Sequence, residues 1–289
     1  MHFVDAKGIL SAQNGMNLYR GCTHGCIYCD SRSACYQFTH AFEDVEVKRN
    51  APQLLEEALL RRRSRCMIGT GAMCDPYLPC EEELLLTRRC LEVIERHGFG
   101  LAIQTKSDRI LRDLDLLRAI NARAKCVVQM TLTTFDEELC RVIEPNVCTT
   151  RRRFETLCIL REHDIPTVVW LCPLLPWIND TEENLRGILD YCFHAGVRGV
   201  IQFGIGLTLR EGSREYFYAA LERHFPGLKQ KYARKHGLSY ELLSDQHERL
   251  MQIFHAECES HGVLHDNDAL FAYLHEFPRK NEGEQLSFL

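Results

Sequence analysis

The stretch Gly100–Thr134, GLAIQTKSDRILRDLDLLRAINARAKCVVQMTLTT, reads as strand, helix, strand. An apolar run ends in QTKS, an amphipathic segment DRILRDLDLLRAINA follows, and a second β-rich run begins at AKCVVQMTLTT. The period of the apolar residues changes from 2 to 3.6 and back, as a βαβ unit requires. The same alternation continues on both sides. RCMIGTGAM (65–73) precedes the helical CEEELLLTRRCLEVIERHG (80–98). FDEELCRVIEPN (135–146) and TTRRRFETLCILREHD (149–164) lead to the apolar IPTVVWLCPLLP (165–176). TEENLRGILDYCFHAG (181–196) precedes VRGVIQFGIG (197–206). With an early strand near MNLY (16–19) and a helix in APQLLEEALLRR (51–62), about six units result. Right-handed crossovers of this length imply a parallel sheet.

Side chains alternate between the faces of a strand. Gln104 and Lys106 share one face of their strand, and Gln129, Thr131 and Thr133 share one face of the next. In the last strand Gln202, Gly204 and Gly206 oppose Ile201, Phe203 and Ile205. Polar groups on an inner face are costly unless they bind something. Those near the C-terminal strand ends lie where α/β folds place their sites. The expectation is a lined cavity, not a set of wet edge strands.

The chain has 289 residues, 45% hydrophobic and 26% charged, with a net charge of −5. That allows one large domain with a small extension and excludes a globally basic nucleic-acid binder. No run is long enough to span a bilayer and MHFVDAKGILSAQN carries no signal-peptide pattern, so a cytoplasmic protein is expected. Fifteen cysteines point to a reducing compartment, as in a low-oxygen organism. Most of them, such as Cys126, Cys158 and Cys192, sit in apolar periodic segments and read as small core residues.

Cys22, Cys26 and Cys29 stand apart, spaced C-x3-C-x2-C in one loop, with Cys35 six residues on. Three thiolates leave a metal centre with an open position, and four would close it. No second C-x2-C pair flanks the loop, as a zinc ribbon would require.

This spacing, with Tyr28 before the last cysteine, resembles the radical S-adenosylmethionine (SAM) superfamily. The resemblance reaches to about residue 206. It implies an α/β fold: a partial (β/α) barrel of about six parallel strands over 1–206. A helical C-terminal extension over 207–277 and a flexible tail over 278–289 are expected to complete the chain. The resemblance implies a 4Fe–4S cluster on Cys22, Cys26 and Cys29, S-adenosylmethionine on the open iron, and a 5′-deoxyadenosyl radical as the reactive species. It implies cofactor contacts at Tyr28, at the turn Gly69, Thr70 and Gly71, and at Lys106 beside a carboxylate. Gln129, Thr131 and Thr133 would line the same cavity. Asp75 comes four residues after the turn, where the family pattern has an acidic residue sooner.

NLYRGCTHGCIYC, DPYLPCE, LTRRCLEVI and IQTKSDRILRDLDLL together resemble the spore photoproduct lyase-like branch, also called DNA repair photolyase-like. That implies lesion repair in which a cysteine returns a hydrogen atom. Cys74 is the candidate here, with Cys80 second. Radical modification of a peptide or small metabolite is the alternative, and a non-catalytic metal-binding module is the third. An electron donor such as flavodoxin or ferredoxin would be a partner.

Basic clusters at 61–65, 151–153 and 229–236 are candidates for phosphate contacts, although exposed helix faces are charged in any case. The ending EQLSFL resembles peptides that dock on the bacterial DNA sliding clamp. SYELLSDQHERLMQIFHAECESHG (239–262) reads as one long amphipathic helix with His247, His255 and His261 solvated or capping.

Overall fold

The computed structural model describes residues 1–278. The tail from 279, with the EQLSFL segment at 284–289, lies outside the described residues.

Six strands form one parallel sheet in chain order: β1 (Gly15–Met16), β2 (Met67–Thr70), β3 (Gly100–Thr105), β4 (Cys126–Thr131), β5 (Thr167–Trp170) and β6 (Gly199–Ile201). Gln104 of β3 pairs with Gln129 of β4, and Gln129 pairs with Val168 of β5. The sheet is the expected partial barrel, open between β1 and β6. Helices Ala51–Leu60, Leu86–His97, Leu114–Arg123, Thr150–Glu162 and Glu182–Ala195 follow β-segments in turn. Their apolar stripes cover the outer sheet face, where Ile68, Leu101, Ile103, Val128, Met130, Val169 and Val200 are fully buried. Local chemistry sets the helix ends. Thr181 accepts from Asn184 N–H, and Gly98 and Gly196 close their helices at positive φ.

The inner face is layered. Met67, Ala102, Val127, Val168 and Ile201 line its lower part, and Leu270 and Leu274 of the helix Asn267–His275 plug it. Above this layer the face turns polar, with Gln104, Gln129 and Thr131, and then opens. In β6 the parity differs from the sequence expectation. Ile201 packs inward and Phe203 lines the cavity, while Gln202 donates to Leu171 O at 2.5 Å and so stitches the sheet. Leu270 faces the strand end of β6, so an apolar residue is needed there.

Two elements were not legible. A three-stranded sheet of Glu46–Lys48 between His2–Val4 and Tyr19–Arg20 flanks the barrel. In the C-terminal region Gly206–Thr208 pairs antiparallel with Glu241–Leu243. The long helix expected over 239–262 therefore begins only at His247. His247 accepts from Ile205 N–H, and His261 stacks on Phe193. Among the described residues, no helix is long and apolar enough to cross a membrane.

The basic clusters separate. Arg61–Arg65 are exposed in the connection entering β2, at the opposite end of the barrel from the cavity. Arg153 is fully buried, and Arg152 is paired to Asp108. Lys229 and Lys235 are paired to Glu222 and Asp245.

Leu270→Ala should cost about 2–5 kcal/mol of stability, because it leaves a void between the plug helix and the apolar layer of the sheet. Anaerobic urea unfolding measures this.

Candidate active site

A cavity of about 480 Å³ opens at the C-terminal strand ends. Cys22, Cys26, Tyr28 and Cys29 form one wall, Gly71–Asp75 and Gln104–Lys106 a second, and Thr131, Trp170 and Cys172 a third. Phe203, Gly204 and the strand pair at 206–208 and 241–243 form the rim.

The cysteine loop is held by the segment IEPN at 143–146. Ile143 O accepts from Ile27 N–H at 3.0 Å, and His24 O accepts from Asn146 N–H at 3.1 Å. Asn146 Nδ2 donates to Thr23 O at 2.9 Å. Glu144 accepts from the Tyr28 hydroxyl and from Arg153 Nη2, the latter at 2.5 Å. Glu144 and Arg153 have no side-chain exposure. Burial alone would push the Glu144 carboxyl up. The Arg153 and Lys106 cations and the Tyr28 hydrogen bond outweigh it and hold the carboxyl below its ordinary range. Arg153 also donates to Thr131 O and Cys148 O, tying the loop to β4.

A second brace comes from Gly21, at φ +91°. A Cβ there would lie 2.3 Å from Phe42 O, the carbonyl that accepts from Cys22 N–H at 3.0 Å. A hydrogen bond from the Cys74 thiol and the nearby His24 pull the Cys22 thiol down to about 6, against burial. Burial pushes Cys26 and Cys29 up.

The turn after β2 approaches β3 closely. At Gly71 (φ +99°) a Cβ would sit 1.9 Å from Gln104 O. Asp75 then anchors the turn. It accepts from Tyr77 N–H, Thr105 Oγ1 and Lys106 N–H at 2.8, 2.7 and 2.7 Å. His24 Nδ1 lies 3.6 Å from the same carboxylate, and its buried Nε2 has no hydrogen-bond partner. The late acidic residue is thus the strut that ties the turn to β3. Lys106 lines the cavity with its Nζ 5.8 Å from the Tyr28 ring centroid.

Of the sequence candidates, Cys22, Cys26, Cys29, Tyr28, Gly71, Cys74, Lys106 and Thr131 meet in this cavity. Gly69, Thr70 and Gln129 line a second cavity of about 270 Å³ beneath it. Thr133 is buried beside Thr134, at 3.3 Å, and lines neither cavity. Cys80 also lies outside both, preceding the short helix Glu81–Leu84. Sequence reasoning missed His24, Cys172, Glu144 and Arg153. His24 was visible between two cysteines, but nothing local marked Glu144 or Arg153, more than a hundred residues away.

The donor set fits a multi-iron cluster. Among the described residues, only His2, His40 and Glu46 gather ligand atoms within 4.8 Å of one another, so the three loop thiols span more than a single ion needs. Cys35 is exposed, with its sulfur 3.8 Å from Arg210, and does not line the cavity.

The family model described as the radical SAM superfamily matches residues 16–192. The chain belongs to the radical SAM superfamily. Its members use a 4Fe–4S cluster and S-adenosylmethionine, and the thiol triad and glycine turn of this chain suit both. An uncharacterized protein of Mycobacterium tuberculosis is 31% identical over 75% of this chain and 65% of its own length. The chain thus spans less than two thirds of that relative. An uncharacterized protein of Methanocaldococcus jannaschii is 31% identical over 62% of this chain and 67% of its own. Among solved structures, spore photoproduct lyase with bound AdoMet and dinucleoside spore photoproduct superposes with a TM-score of 0.59. That match covers 84% of this chain and 72% of the lyase at 13% identity, which establishes a shared fold.

Arg153→Met should destabilise this radical SAM chain by about 3–5 kcal/mol, since it removes the cation that is hydrogen-bonded to the buried Glu144 carboxylate. Adding Glu144→Gln should recover part of that loss. Anaerobic urea unfolding of both variants, with iron content after reconstitution, measures the effect.

Proposed function

We propose that this chain cleaves S-adenosylmethionine reductively and uses the resulting radical on a substrate carrying a planar ring, a nucleic-acid lesion being the leading class. The cluster on Cys22, Cys26 and Cys29 would supply the electron that yields methionine and the 5′-deoxyadenosyl radical, drawn from a donor such as flavodoxin or ferredoxin. The protein's own part is to orient and shield. Gly71–Met73 would bring backbone close to the methionine end of the cofactor. Lys106 Nζ, with no side-chain hydrogen bond to another described residue, would pair with its carboxylate. Tyr28, held by Glu144, would present its ring to the adenine.

The observation that carries the substrate reading is at the rim. Phe203 is 59% exposed yet lines the cavity, with its centroid 5.8 Å from Trp170. An exposed phenylalanine backed by a half-buried tryptophan beside a reaction chamber is a stacking platform for a base. The bound dinucleoside in spore photoproduct lyase, which has the same fold, supports this class. Cys74, in the cavity wall, is the proposed source of the returned hydrogen atom, because a thiol S–H bond is weak. A second reading, a peptide or small metabolite, is favoured by Glu241 in the lining, which would repel a long polyanion.

Anaerobically reconstituted protein, reduced with dithionite and given S-adenosylmethionine, should form 5′-deoxyadenosine, and Cys26→Ala should form none. Absence of product from a reduced, reconstituted cluster would overturn the radical reading. A dinucleoside photoproduct should raise turnover in the wild type. Phe203→Ala should lower that stimulation about tenfold and leave substrate-free cleavage intact. No stimulation by the photoproduct, with cleavage intact, would favour the peptide or metabolite reading.

A further inference from the structure

A second group of ligand-type side chains lies on the small flanking sheet. Parallel pairing sets His2 opposite Glu46, so both project from one face. The loop returning from the cysteine segment lays His40 over them. The His2 and His40 rings meet edge to face with centroids 4.9 Å apart, and His40 Nε2 is 3.9 Å from Glu46 Oε2. One ligand atom from each residue lies within 4.8 Å of the other two.

The ring protons are arranged as a metal site requires. His40 Nδ1 lies 2.9 Å from Ala41 O. A carbonyl only accepts, so Nδ1 carries a proton, and in the neutral ring the lone pair then falls on Nε2. His2 Nδ1 is engaged in the same way by Asp44 Oδ2 at 3.0 Å. Metal-ligating histidines characteristically give their other N–H to a carbonyl or carboxylate, which fixes the tautomer and aims the ligating nitrogen. The lone pair on His40 Nε2 is buried and has no hydrogen-bond partner, a state that costs free energy unless something fills it.

We propose that His2, His40 and Glu46 bind a divalent transition-metal ion, Zn²⁺ by donor set, with water completing the shell. Two imidazoles and one carboxylate suit Zn²⁺, whereas Mg²⁺ and Ca²⁺ select oxygen ligands. The site stands independently of the radical reading. Its consequence is mechanical. The ion ties the returning loop to the N-terminal strand. That loop contains Phe42, whose carbonyl holds the Cys22 backbone. Metal at one end of the segment therefore steadies a thiol at the other.

The test uses reconstituted holoprotein, whose cluster thiols are occupied by iron. It is equilibrated anaerobically with Zn²⁺, desalted, and analysed for zinc and iron by mass spectrometry and zinc X-ray absorption. The wild type should retain about one zinc per chain in a shell of nitrogen and oxygen at about 2.0–2.1 Å. His40→Ala and Glu46→Gln should each bind zinc at least tenfold more weakly at unchanged iron content. His2→Gln provides the same comparison should His40→Ala not fold. Equal zinc in wild type and folded variants overturns the assignment, as does a sulfur shell near 2.3 Å.

Discussion

A buried carboxylate governs how the cysteine loop can run. Glu144 lies out of contact with water behind the loop, and Arg153 and the Tyr28 hydroxyl are its partners. An unpaired charge there would be untenable, so all three groups must meet. Their meeting brings the loop, the segment after the β4 crossover and the start of the next outer helix to one point. Ile27, His24 and Thr23 then find backbone and amide partners in Ile143 and Asn146. The thiols face the cavity because the opposite side of their loop is committed to this network.

The inner face of the barrel shows how one sheet serves three environments. At the bottom, small and branched apolar residues accept the plug helix. In the middle, Gln129 accepts from Trp170 Nε1 at 2.9 Å, which satisfies a polar pair next to that apolar layer. At the top, Gly71 lets the β2 turn pass against β3, and Asp75 locks it there through two backbone amides and the Thr105 hydroxyl. The cavity is therefore walled by structure whose polar groups are largely satisfied, which makes it a pre-organised site. His24 Nε2 is the exception, an orphaned buried nitrogen among the cysteines.

Much of this was legible in local patterns. The alternating periods marked five of the six strands well, because each segment's apolar face is a local property. The C-x3-C-x2-C spacing marked the loop, because three thiols within eight residues are a local property of the sequence. The inner-face assignment of Gln104, Lys106, Gln129 and Thr131 followed from parity alone. Parity failed at β6, where Leu270, distant in sequence, claimed the inner position for Ile201. The long helix expected over 239–262 failed for a similar reason. Glu241–Leu243 has a partner strand at 206–208, and pairing satisfies its backbone without helical hydrogen bonds.

By itself, then, the sequence determined the α/β alternation, the parallel sheet and the closeness of the three loop thiols, all set by local spacing. Only the tertiary structure decided which polar groups back that triad. Glu144 and Arg153 are defined by burial and charge neutralisation, Asp75 by the amides it receives, and Cys172, Phe203 and Trp170 by the cavity they border. Each of these roles depends on neighbours brought from distant segments, and the cost of leaving a buried charge or amide unpaired exists only once the chain has closed around it.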